Sequence, residues 1–218
     1  MKHNVILFDL DGTLTDPGEG ITNSVAYALR KLGQTPPPRA ALEAYIGPPL
    51  IDSFISLAGL DRETGELAVK YYREYFSEHG IFENEIYPGI PQMLERLKAA
   101  GAVISLATSK PTVYAAKILE YFDIAKYFDA VAGSELDGRR VKKADVIEYA
   151  LELLNVSDRD RVVMVGDREH DTIGATACGV FSVGVTYGYG SPDELAQTGA
   201  DHIVHTVDQL TKYLLTDC

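Results

Sequence analysis

Hydrophobic positions along this chain follow two rhythms. Val5-Ile6-Leu7-Phe8 is an unbroken apolar run, and Ala102-Val103-Ile104-Ser105-Leu106-Ala107-Thr108 and Arg161-Val162-Val163-Met164-Val165-Gly166-Asp167 are nearly so. Runs of this length, apolar on both faces, predict short strands buried in a parallel sheet. Phe128-Asp129-Ala130-Val131-Ala132, Phe181 to Val185 and the weaker His202-Ile203-Val204 add three more. Between them the apolar spacing is helical: about Ile90 to Ala100, from Ser109-Lys110-Pro111 to about Phe122, about Ala144 to Leu154, about Asp171 to Cys178, and a terminal helix. Strand and helix alternate, which predicts an α/β fold: a Rossmann-like open parallel sheet flanked by helices.

Residues 16–85 break that alternation directly after the first strand. Asp16-Pro17-Gly18-Glu19 has the pattern of a helix start, with Asp16 as N-cap, Pro17 at N1 and Glu19 at N3 of a capping box. Ile21, Val25, Ala28, Leu29 and Leu32 follow at helical spacing, and Thr35-Pro36-Pro37-Pro38 is a break. A short helix is expected from Leu42 to Ile46 and another over Leu50, Ile51, Phe54, Ile55 and Leu57. A long one is expected from Asp61 to His79, with Leu67, Tyr71, Tyr75 and Phe76 on its packed side. The expectation is a core domain of residues 1–15 and 86–218 with a small all-helical domain, 16–85, inserted after the first strand.

Chemistry collects where the predicted strands end. The first runs into Asp9 and Asp11, then Gly12, which permits a sharp turn. The second ends at Thr108 and Ser109, and the fourth at Gly166-Asp167 with Asp171 one helical turn on. In an open parallel sheet, ligands bind outside the carboxyl ends of the strands, so these groups share one edge. Two close carboxylates repel unless a cation or proton sits between them. Each feature alone has a plain reading: a D-x-D-G is often a turn, Thr108 or Ser109 could cap a helix, and Lys142 and Lys143 could be exposed charges. The set on one edge is what argues for a site.

Composition narrows the setting. The 218 residues, 46% of them hydrophobic, can bury a full core. The net charge of −12 argues against a nucleic-acid polymer or an anionic membrane as partner. No apolar stretch suits a signal peptide or a bilayer span. Cys178 and Cys218 lack metal-ligand spacing, so a reducing cytoplasm is expected.

The edge residues also resemble a known family. Asp9-Leu10-Asp11-Gly12-Thr13-Leu14 is similar to the first motif of the haloacid dehalogenase-like hydrolases, and Ser105 to Ser109 to the second. Lys143, in Arg140-Val141-Lys142-Lys143-Ala144-Asp145, matches the third, and Val165-Gly166-Asp167-Arg168-Glu169-His170-Asp171 the fourth. The resemblance spans nearly the whole chain, includes Tyr87-Pro88-Gly89, and is nearest to the phosphoglycolate-phosphatase-like branch with a helical cap.

That resemblance implies a Mg²⁺-dependent phosphatase of small phosphomonoesters, such as phosphoglycolate or a nucleoside monophosphate. Asp9 would be the nucleophile that becomes an aspartyl-phosphate, and Asp11 the general acid and base. Mg²⁺ would be held by the Asp9 carboxylate, the Asp11 backbone carbonyl and Asp167. Thr108, with Ser109, would bind the phosphoryl group, and Lys143 would neutralise Asp9 and the phosphate. Asp171 would stand behind the metal ligands, and Gly12 and Thr13 would hold the loop. The partner implied is a small phosphorylated metabolite, acted on by a monomer or homodimer. A sugar phosphomutase shares the four motifs, but Gly47-Pro48-Pro49-Leu50-Ile51 supplies no Lys or Arg for a second phosphate. A dehalogenase would need neither Asp11 nor a metal. A receiver domain would be shorter, with its phosphorylated Asp in mid-chain. A non-catalytic phosphate-binding regulator would not need Asp9, Asp11, Lys143 and Asp167 together.

Overall fold

The structure, a computed structural model, describes residues 3–216, so Cys218 lies outside the described residues. The chain forms two compact units, one of Met1–Thr15 with Ile86–Cys218, the other of Asp16–Glu85.

The first unit is built on a six-stranded parallel sheet of order β5-β4-β1-β6-β7-β8. The strands are β1 (Val5–Phe8), β4 (Val103–Pro111), β5 (Ala130–Ser134), β6 (Val162–Gly166), β7 (Phe181–Val185) and β8 (His202–Val204). Two-residue strands, β2 (Thr15–Asp16) and β3 (Glu85–Ile86), lie where the chain passes from one unit to the other. β1 is central, with Val5 opposite both Val103 and Val162, and all four of its side chains are buried. Alternation divides them between two layers. Val5 and Leu7, with Ala107, Ala132, Val162 and Met164, pack against helices α7 (Lys143–Leu153) and α8 (Glu169–Cys178). Ile6 and Phe8 point to the opposite face. The remaining helices of this unit are α5 (Ile90–Ala99), α6 (Thr112–Tyr121), α9 (Pro192–Gln197) and α10 (Val207–Thr216).

Two differences from the sequence reading concern the site edge. β4 does not stop at Thr108 but runs through Ser109 and Lys110 to Pro111, and α6 starts only at Thr112. Proline fixes an extended residue before it, which carries the strand onward instead of opening a helix. α9 was not expected at all. It is held by Pro192 in its first turn, by the Ser191 hydroxyl accepting from the Glu194 N–H at 3.1 Å, and by buried Leu195.

The second unit is helical: α1 (Gly18–Lys31), α2 (Arg39–Leu42), α3 (Leu50–Ala58) and α4 (Arg62–Tyr75), with a π-type turn at Phe76–Gly80. α1 begins two residues after Asp16, whose carboxylate accepts from the Gly18 N–H at 2.9 Å, so the cap position falls at Pro17, one residue later than expected. The segment expected as a helix from Leu42 to Ile46 is a 3₁₀ turn, Glu43–Tyr45, following α2. α4 starts at an Asp61 cap accepting from the Thr64 N–H at 2.8 Å, which satisfies one of the first-turn donors. Its packed side is Gly65, Ala68 and Tyr72, continuing to Phe76, whereas Leu67 is 39% exposed. Gly20 and Gly80 approach so closely that a Cβ on Gly20 would overlap the Gly80 carbonyl, so α1 meets the π-type turn backbone to backbone.

Candidate active site

Every candidate residue named from the sequence lies in the first unit, at the carboxyl ends of β1, β4 and β6 or at the helix starts facing them. After β1 the chain turns tightly: the Gly12 N–H donates to Thr15 O at 2.8 Å, and Thr13, Leu14 and Thr15 N–H groups all donate to Leu10 O. Gly12 has φ +81°, and a Cβ there would overlap the Asp167 carboxylate, so only glycine fits. This turn sets Asp9 and Asp11 beside β6.

Lys143, the first residue of α7, reaches back across the sheet edge. Its ammonium lies 3.0 Å from Asp9 Oδ1 and 2.8 Å from Asp171 Oδ1, and donates to Ala107 O at 3.0 Å. The Lys143 side chain is only 3% exposed. Burial works against its charge, but Asp171 and then Asp9 more than offset that, so its pKa is raised and the ammonium persists. A Cβ on Gly174 of α8 would come within 2.8 Å of the lysine side chain, so that glycine makes room for its path.

Asp9, Asp167 and Asp171 each place one carboxylate oxygen within 4.8 Å of the others, and all three are buried. Asp167 is pushed up to about 8, first by burial and then by Asp171 and Asp9. Burial also raises Asp171, against the pull of Lys143. Three carboxylates thus face one ammonium. Such an excess of negative charge, presented by hard oxygen donors, fits a divalent cation of the Mg²⁺ kind. Asp171, expected behind the metal ligands, has its carboxylate among these oxygens and paired with Lys143, in the first turn of α8, which starts at Glu169. There its other oxygen accepts from the Arg168 N–H at 3.1 Å. The Asp11 side chain is not one of the three.

Thr108 is buried, and its hydroxyl oxygen accepts from the Lys110 N–H at 3.2 Å. Ser109 is half-buried, with its carbonyl accepting from the Ser134 hydroxyl at 2.7 Å. Thr13 donates to Asp167 Oδ1 at 3.4 Å.

Two features escaped the sequence reading. One is Lys110, buried, with its ammonium 2.6 Å from Asp11 Oδ2. The other is the loop after β7. The Tyr189 N–H donates to Asp167 Oδ2 at 2.8 Å, and the Tyr187 hydroxyl donates to Thr13 O at 3.0 Å. A Cβ on Gly188 would overlap the Gly12 carbonyl, and one on Gly190 the Asp167 carbonyl. The alternating glycines of Tyr187-Gly188-Tyr189-Gly190, just past a strand end, were the available signal.

The family model for haloacid dehalogenase-like hydrolases matches residues 6–185. A 5'-nucleotidase of Pseudomonas aeruginosa is 46% identical over 89% of this chain and 88% of its own. The tyrosine-protein kinase PtkA of Mycobacterium tuberculosis is 39% identical over 96% of this chain and 72% of its own. A predicted phosphatase from Clostridium acetobutylicum, known as a crystal structure, superposes with a TM-score of 0.95 at 49% identity, covering 99% of each chain. The chain belongs to the haloacid dehalogenase-like hydrolases, in the branch that also holds phosphoglycolate phosphatases, and is a phosphatase of that family. Among the described residues, no helix is long and apolar enough to cross a membrane.

Proposed function

We propose that this enzyme hydrolyses small phosphomonoesters through a phosphorylated Asp9, with Mg²⁺ as cofactor. The observation that carries the proposal is the pairing of buried Asp9 with Lys143, beside Asp167 and Asp171 and two residues before Asp11.

Asp9 attacks phosphorus, forming the P–O bond to its carboxylate as the bond to the leaving alcohol breaks. Asp11 gives its proton to the departing oxygen. Water then attacks the same phosphorus, Asp11 takes the water's proton, and the carboxylate of Asp9 is restored. Lys143 offsets the charge of nucleophile and phosphoryl group throughout. Thr108, with Ser109, offers hydrogen bonds to the phosphoryl oxygens. Asp9, Asp167 and the Asp11 backbone carbonyl would hold the metal, with the Asp171 carboxylate beside them. Bound there, it would supply positive charge that lets an anionic nucleophile approach an anionic ester.

The relatives' names favour a nucleoside monophosphate or phosphoglycolate over a sugar bisphosphate, and the cytoplasm suits the free, buried Cys178. The test is phosphate release over a panel of phosphorylated metabolites by metal-stripped protein, with and without Mg²⁺. Release from monoesters that requires Mg²⁺ and is lost in Asp9→Asn is expected. Undiminished release by Asp9→Asn would overturn the reading.

A further inference from the structure

Among the described residues, Lys110 is the one buried cation at the site edge that the roles above leave unused. Its Nζ lies 2.6 Å from Asp11 Oδ2, with the two side chains 6% and 14% exposed. Its backbone is fixed on both sides. Its N–H donates to the Thr108 hydroxyl, and β5 passes so close that a Cβ on Gly133 would come within 2.6 Å of the Lys110 carbonyl. The lysine therefore reaches Asp11 from a rigid strand. The other carboxylate oxygen, Asp11 Oδ1, is buried and has no hydrogen-bond partner. A buried acceptor left bare is costly unless something else meets it.

We propose that Lys110 is the positioning residue of Asp11: it holds Oδ2 and leaves Oδ1 as the oxygen that exchanges a proton with the leaving group and then with water. The proposal rests on the phosphatase reading. It makes the two lysines unlike in role. Lys143 serves the nucleophile, and Lys110 acts through the acid without touching the phosphoryl group. It also accounts for β4 continuing past Thr108, since Thr108 and Lys110, two residues apart, both turn inward.

The test combines two double-variant cycles on Lys110→Met and Asp11→Asn. In the kinetic cycle, Lys110→Met should lose roughly 100-fold in kcat on alkyl phosphates, the scale of one general acid. On p-nitrophenyl phosphate, whose leaving group needs no proton, the loss should be under roughly 10-fold. The double variant should lose no more than Asp11→Asn alone, and Lys110→Arg should recover part of the activity. Equal losses on both substrates, or losses that multiply in the double variant, would overturn the proposal, as would a rise in KM alone. The second cycle uses urea unfolding of metal-free protein without substrate. Lys110→Met should lower the midpoint, and adding Asp11→Asn should restore it; failure to restore it would contradict the ion pair itself. If the wild-type enzyme releases no phosphate while the unfolding cycle shows coupling, the phosphatase reading fails, the positioning role falls with it, and the pair stands as structural.

Discussion

Nζ of Lys143 lies 3.0 Å from Oδ1 of Asp9, although the two residues belong to elements far apart in the chain. The contact exists because α7 starts at residue 143 and the parallel sheet brings that start to the end of β1. Replacing Lys143 by Met would leave Asp9 and Asp171 buried without their counter-charge. Removing one partner of a buried pair costs about 3–5 kcal/mol. Lys143→Met is expected to lose stability on that scale in urea unfolding and to lose turnover. The added variant Asp171→Asn should recover part of the stability but none of the turnover. Unchanged stability in Lys143→Met would contradict the buried charge cluster.

A pH dependence follows from Asp167. Its folded-state pKa, about 8, lies above the unfolded value of about 3.9. A raised pKa means the folded protein holds the proton longer than the unfolded chain. The stabilisation is therefore complete below about pH 4 and is lost as the pH rises through about 8. At pH 9, metal-free Asp167→Asn should be more stable than the wild type by more than about 1 kcal/mol, with the difference vanishing at pH 4. Mg²⁺ should raise the melting temperature of the wild type more at pH 9 than at pH 5, and that of the variant little at either. Parallel pH–stability curves for the two proteins would count against the assignment.

The loop after β7 should matter to the cation even though it contributes no carboxylate. In Gly188→Ala the new methyl group would press on the Gly12 carbonyl and on the Asp167 side chain. Overpacking of this kind costs about 1–3 kcal/mol. The expected outcome is weaker Mg²⁺ binding by calorimetry, with the far-ultraviolet circular dichroism spectrum intact. Wild-type affinity in this variant would show that the loop does not constrain Asp167.

Asp11 is predicted to show its role through the leaving group. Asp11→Ala should reduce turnover of alkyl phosphates by about 10²–10⁴-fold and that of p-nitrophenyl phosphate far less. Equal losses on the two would remove Asp11 as the acid.

The sheet was legible because its strands are apolar on both faces; β7 and β8 fall at the residues expected, Phe181–Val185 and His202–Val204. Helix faces were harder to read. On α4, tyrosines occupy both half-buried and buried positions, and side-chain type alone did not reveal that Tyr72 packs inward while Leu67 faces out. At the site, Asp9, Asp11 and Asp167 could be placed on one edge from strand ends, whereas Lys143 was singled out from Lys142 only by the resemblance to the family's third motif. Lys110 was hidden because Lys-Pro reads as a helix start, and its pairing with Asp11 is a tertiary fact. The start of α8 was expected at Asp171 and falls at Glu169, since helix starts shift by one or two residues.

The central claim is that Asp9 carries the phosphoryl group. Rapid acid quenching during turnover, followed by peptide mass spectrometry, tests it directly. A phosphoryl group on Asp9 in the wild type, absent in Asp9→Asn, is the predicted result. Steady turnover with no phosphorylated Asp9, or with the group on another residue, would contradict the account.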